Sequence, residues 1–210
     1  PKRSPATSPY SVAVMNSASA STITTAEHAI ALMLALARQL PEASASTHSG
    51  KWEKSRFMGV EVTGKTLGII GCGNIGAIVA DRALGLKMKV VAYDPYLGSD
   101  RAADLCLEKV ELDALLARAD FITLHTPLND ATRNLINAET IAKMRDSVRV
   151  INCARGGLVN EADLKAAIES GKVAGAAVDV FSEEPARENV LFGVEKVIAT
   201  PHLGASTSEA

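Results

Sequence analysis

Aromatic side chains are scarce in this sequence, at 4% of 210 residues with a single tryptophan, Trp52. Yet 47% of the chain is hydrophobic, so its core must be built from Val, Ile, Leu and Ala. Aliphatic runs of that kind suit strands buried on both faces, as in a parallel sheet. Cysteine is nearly missing as well. Cys72, Cys106 and Cys153 are odd in number, far apart and without C-x-x-C pairing. That spacing argues against a disulfide framework and for a reducing, cytoplasmic setting. Charge of one sign is not in excess, with a formal net charge of −2. Lacking a basic block, the chain has no footprint for phosphate-driven nucleic-acid binding. The longest apolar run, Ala29 to Ala37, is far too short to span a bilayer, and no signal peptide is visible. The histidines do not stand at metal-ligand spacing with Cys or carboxylates, so no metal is expected.

What is present is a regular alternation. Short aliphatic runs occur at Leu67 to Ile70, Val90 to Tyr93, Phe121 to Leu124, Val148 to Asn152, Ala174 to Val178 and Val197 to Thr200. Helical patterns lie between them at Ile75 to Leu86, Leu112 to Ala117, Ala138 to Met144 and Glu161 to Ser170. Strands alternating with helices imply right-handed crossovers, and six strands fit an α/β, doubly wound parallel sheet of the Rossmann type. Ahead of this region, residues 1–23 read as a poorly ordered arm rich in Pro, Ser and Ala. Order is expected from Thr24, where Thr24-Thr25-Ala26-Glu27 matches an S/T-x-x-E capping box. The helix it opens, Glu27 to about Leu40, is apolar almost all round and ends near Pro41.

Two glycine motifs compete for a phosphate. Gly59 to Thr66 satisfies G-x-x-x-x-G-K-[ST], but that loop needs a strand before it and a helix after it. Here a polar, basic stretch precedes it and a strand follows. The match reads as chance. Gly71-Cys72-Gly73-Asn74-Ile75-Gly76 satisfies G-x-G-x-x-G and stands between a strand and a helix. Gly71 then makes the tight turn, Gly73 admits a pyrophosphate to the backbone, and Gly76 lets helix pack close against strand. Asp94 ends the next strand, about 20 residues on, where an acid holds the ribose hydroxyls. A carboxylate there repels a 2′-phosphate, so NAD is expected rather than NADP.

Ligands of open parallel sheets bind beyond the carboxyl ends of the strands. The polar residues just past those ends are Thr126, Arg155, Asp179 and His202, with Glu184 close behind Asp179. An Arg, a Glu and a His converging on a bound nicotinamide suit hydride transfer from a hydroxy acid. His28, in the apolar helix, reads as a satisfied structural histidine.

Four segments in one order give the chain a known likeness. They are Gly71 to Gly76, Asn152 to Gly157, Val178-Asp179-Val180-Phe181 with Glu183-Glu184-Pro185, and Pro201 to Thr207. From about Val14 to Ala210 the sequence resembles the D-isomer-specific 2-hydroxyacid dehydrogenases. The resemblance implies that Arg155 holds the substrate carboxylate and that His202 exchanges the hydroxyl proton. It implies that Glu184 fixes the His202 tautomer and favours the imidazolium. It also implies a cofactor site lined by Asn74, Ile75, Asp94, Thr126, Cys153, Ala154, Arg155 and Asp179, with the backbone of His202, Leu203, Gly204 and Ala205 nearby. Asp179 is expected by the nicotinamide carboxamide.

The likeness carries further expectations. The small-molecule substrate is a phosphorylated 2-hydroxy acid, with glyoxylate or hydroxypyruvate reduction, or cofactor sensing without catalysis, as alternatives. A formate-oxidising branch is disfavoured, because it pairs its His with Gln where this chain has Glu184. A homodimer through this domain is expected, for which the apolar helix from Glu27 would suit. Family members carry a second, substrate domain built mostly from residues before that helix, so residues 1–23 read as its remnant and residues 24–210 as the NAD-binding domain, with a core at about 65–205. The cofactor should bind, while turnover by this chain is expected to be weak or absent.

Overall fold

A computed structural model describes residues 18–210, with side chains from residue 21 onward. The expected arm at residues 1–17 lies outside the described residues. The elements follow in the order α1 (Ala18–Arg38), α2 (Leu40–His48), β1 (Thr66–Ile70), α3 (Asn74–Gly85), β2 (Lys89–Tyr93), α4 (Ser99–Asp104), β3 (Glu108–Lys109), α5 (Leu112–Arg118), β4 (Phe121–Leu124), α6 (Ala138–Ala142), β5 (Val148–Asn152), α7 (Glu161–Glu169), β6 (Val173–Val178) and β7 (Val197–Ala199). Every strand pairing is parallel. The order β3-β2-β1-β4-β5-β6-β7 is the doubly wound arrangement expected from the alternation.

The pleat sorts each aliphatic run onto two faces. Leu67, Ile69, Phe121 and Ile151 join α1 and α3 in one core layer. Ile70, Ile122, Leu124 and Val150 join α5, α6 and α7 in the other. Because both faces are covered, the central strands are mostly apolar along their length rather than alternating. At the point where the strand order reverses, β1 and β4 run side by side, and the site lies at their carboxyl ends.

Four expectations are corrected. The first helix starts at Ala18, well before the capping-box match. Thr24 and Thr25 are inside it, and the Thr25 hydroxyl donates back to the Ser21 carbonyl at 2.8 Å, an i−4 bond of the helix interior. Pro41 does not end that helix but sits in the first turn of α2, after Gln39 turns the chain at φ 53°. Proline is tolerated there because the first N–H groups of a helix have no partner within it. The sheet has seven strands rather than six, the extra one being the two-residue edge strand β3, both of whose residues are exposed. Finally, the apolar face of α1 is not left for a second copy. Ala26, Ala29, Leu32, Met33 and Leu36 are buried in this chain's own core. The large apolar side chains left exposed in this region are Ile23 near the start of α1, Leu40 on α2, and Trp52 and Met58 beyond it.

The discarded phosphate motif has a plain structural use. The Val60 N–H donates to the Ala37 carbonyl at 2.9 Å and the Gly64 N–H to the Lys87 carbonyl at 2.9 Å. The segment ties the end of α1 to the turn before β2 and leads into β1, and no helix follows it.

Candidate active site

The site begins where β1 ends. Gly71 takes φ +90°, and a Cβ there would lie 2.7 Å from the His125 carbonyl carbon and oxygen. The loops after β1 and β4 are thus in direct contact, which only glycine permits. A Cβ on Gly76 would stand 2.2 Å from the Gly71 carbonyl oxygen, so α3 can start this close to the loop only without one. At Gly73 a Cβ would meet nothing within 4 Å. This residue caps α3 and leaves an open approach to the helix N-terminus.

Asp94, past the end of β2, ties this loop down. Its Oδ2 accepts the Cys72 N–H at 2.8 Å and its Oδ1 accepts the Tyr96 N–H at 2.8 Å. Each oxygen retains acceptor capacity for a hydroxyl. The Cys72 thiol beside it is raised by burial and then by Asp94 itself.

Across the crevice, β5 ends at Asn152, whose side chain shapes the next turn. It donates to the Arg155 carbonyl at 3.0 Å and accepts the Ala154 N–H at 3.1 Å. Arg155 is thereby presented on the wall of a cleft of about 400 Å³. Cys153 and Ala154 share that wall, with Ile75, Thr126, His202, Gly204 and Ala205 also lining the cleft. Burial, and secondly Asp179, push the Cys153 thiol far above its ordinary range, so it carries no thiolate chemistry.

His202 follows β7 in a left-handed turn at φ 54°. Its Nδ1 lies 2.7 Å from Glu184 Oε2, while Glu184 Oε1 accepts the Phe181 N–H at 3.0 Å. A carboxylate only accepts, so Nδ1 carries the proton and Nε2 is left as the base. Burial works to raise Glu184, but the His202 and Phe181 N–H donors outweigh it and hold the acid below its ordinary value. Asp179 is placed beneath the cleft rather than on its lining. Fully buried, it accepts the Thr200 hydroxyl at 2.6 Å, the Leu203 N–H at 2.7 Å and the Gly204 N–H at 2.8 Å.

Residues 30–204 match the family model of the D-isomer specific 2-hydroxyacid dehydrogenase NAD binding domain. The chain belongs to this family. It is 50% identical to D-3-phosphoglycerate dehydrogenase of Synechocystis sp., over 98% of this chain and 37% of that protein. It is 49% identical to D-3-phosphoglycerate dehydrogenase of Archaeoglobus fulgidus, over 95% of this chain and 38% of that one. The crystal structure of a glyoxylate reductase from Paecilomyes thermophila superposes with a TM-score of 0.85 at 37% identity, covering 90% of this chain and 58% of its own. This chain spans less than two fifths of the length of those curated relatives.

The cofactor of this dehydrogenase domain is NAD, and the geometry fits it. Gly73 leaves a cradle before α3 that any other residue would narrow, and Asp94 stands beside that loop. Among the described residues no group of three or more His, Cys, Asp or Glu is arranged to hold a metal ion.

Asn152, Thr200 and His125 contribute here although their places in the sequence assign them no part, His125 being readable only as a possible neighbour of the cofactor. His125 stands half-buried beside the cleft, with Nε2 2.9 Å from the Thr123 hydroxyl and Nδ1 buried without a hydrogen-bond partner among the described residues. Burial lowers its pKa to about 4. An unfolded histidine titrates near 6.5, so between those values the unfolded chain binds a proton that the fold refuses. This contribution to stability is therefore complete above about pH 6.5 and declines as pH falls toward about 4. At pH 5 the loss should be about 2 kcal/mol. Urea titrations at pH 7 and pH 5 check it, with His125→Gln expected to show a shallower decline. Equal declines in both proteins would refute the assignment.

Proposed function

We propose that this chain is the cofactor-binding part of an enzyme that oxidises a D-2-hydroxy acid with NAD. The substrate we assign is 3-phosphoglycerate, giving 3-phosphohydroxypyruvate, the oxidation that opens serine biosynthesis. The observation that carries the reading is the His202–Glu184 pair, closed at 2.7 Å, on the same cleft as Arg155. The substrate assignment is supported by the two relatives bearing that enzyme's name at 49–50% identity.

Bound NAD supplies the acceptor for the hydride that leaves C2. The chain's own residues do the rest. The planar fork of Arg155 holds the substrate carboxylate in two hydrogen bonds and polarises the C2 oxygen. Nε2 of His202 takes the C2 hydroxyl proton as the C–O double bond forms, and Glu184 stabilises the imidazolium that results. In the reverse direction the same proton returns to the oxygen. Asp94 holds the adenosine ribose hydroxyls by accepting from them, which also disfavours a 2′-phosphate.

Calorimetric titration of the chain with NAD, NADP and ATP–Mg tests the reading. We expect NAD to bind, NADP and ATP–Mg to bind weakly, and Asp94→Ala to lower NAD affinity by about 10- to 100-fold, as expected when hydrogen bonds to a charged acceptor are lost. Binding of ATP–Mg in place of NAD would overturn the proposal and restore the segment at residues 59–66 as the phosphate loop.

A further inference from the structure

We propose that His28 of α1 is a positioning residue for the turn that carries His202. Nothing in the reaction requires a histidine on this helix, and in the sequence it reads as a core histidine. Its partner changes that view. Nε2 of His28 lies 3.2 Å from Asp179 Oδ1 and 3.4 Å from the Thr200 hydroxyl. Both donors to Asp179 Oδ1, the Thr200 hydroxyl and the Leu203 N–H, shape the same turn. Since the Thr200 hydroxyl gives its hydrogen to Asp179, Nε2 of His28 donates to the Thr200 oxygen and stands within ion-pair distance of the acid.

The turn needs such support. His202 is a non-glycine residue at φ 54°, a conformation that side-chain-bearing residues seldom adopt. Its own N–H is held by the Asp179 carbonyl at 2.9 Å, and the next two N–H groups by the Asp179 side chain. Asp179 thus fixes three successive backbone groups, and His28 fixes Asp179 to α1. One turn before His28, Thr25 backs the same place, since a Cβ on Gly204 would lie 3.4 Å from its methyl group. The first helix therefore braces the catalytic turn at two points, more than 150 residues away along the chain.

This inference rests on the proposed role of His202, and its test separates the two. Amide hydrogen exchange is measured on the chain as it stands, on His28→Leu and on His28→Gln, whose amide places an N–H where Nε2 stood. In His28→Leu, the Leu203 and Gly204 amides should exchange about tenfold faster or more, with Ile69 and Ile151 in the sheet unchanged. His28→Gln should restore most of the protection. In parallel, NAD affinity should fall about tenfold in His28→Leu while ADP-ribose, which lacks the nicotinamide, binds as before. Unchanged exchange at Leu203 and Gly204, faster exchange spread evenly over α1 and the sheet, or a Gln variant behaving as Leu would each overturn the proposal. If the unaltered chain bound no NAD, the functional reading would fall, and the exchange data would still decide the role of His28.

Discussion

Gly156→Ala is expected to destabilise the chain by more than about 3 kcal/mol, the range reached when added volume meets atoms that cannot yield. The added methyl would lie 1.7 Å from the Phe181 carbonyl oxygen and 2.1 Å from its carbon, with the Ser182 nitrogen at 2.8 Å. All three neighbours are backbone, so no side-chain rotation relieves the overlap. The loop bearing Arg155 must then separate from the segment leading to Glu184. Urea unfolding monitored by circular dichroism reads the stability, and NAD titration at low temperature reads the site. A midpoint within experimental error of the parent would show that the two loops do not meet as described.

Asp179→Ala should cost a comparable amount by the opposite route, through loss of partners. Removing the carboxyl leaves the Leu203 and Gly204 N–H groups and the Thr200 hydroxyl without their acceptor in a buried setting, and each such orphan costs about 1–3 kcal/mol. We expect a total loss of about 4 kcal/mol, with Asp179→Asn intermediate because one oxygen survives to accept. Equal stability of Asp179→Asn and Asp179→Ala, measured by the same unfolding experiment, would mean that the buried oxygens do not hold the turn individually.

The sheet was legible because its strands are buried on both faces. Runs such as Leu67 to Ile70 and Phe121 to Leu124 carry no charged residue, with Thr123 the one polar side chain among them, and each became a central strand. Glu108–Lys109 could not be read, since two exposed charged residues at a sheet edge carry no hydrophobic signal. The helix α2 escaped because proline both ends helices and begins them, and only the left-handed Gln39 shows which applies to Pro41. The capping-box match at Thr24 failed for a related reason: Thr and Glu at that spacing also occur within a helix whose start lies further back.

For the site, position along the strands was enough to find the residues that face the cleft, because the carboxyl ends of a parallel sheet converge on one edge. Arg155 and His202 both follow strand ends and both line the cleft. The supporting residues could not be found in this way. Asn152 acts through a turn whose shape follows from its own side-chain bonds. His28 and Asp179 are brought together by the docking of a helix on a strand, which no local pattern announces.

That docking sets an order of events for a chain leaving the ribosome. The first helix packs on α3, but also on β5, β6 and β7, and the nearest of those strands begins 110 residues after Arg38, from 148 − 38. At a synthesis rate of roughly 5–20 residues per second, the apolar face of α1 is complete roughly 5–20 s before those strands emerge. Through that interval Leu32, Met33 and Leu36 lack the β5, β6 and β7 side of the sheet they pack against in the finished fold. The helix proposed to brace the His202 turn thus waits for these strands through that interval, and its apolar face is a place where a chaperone would find something to hold.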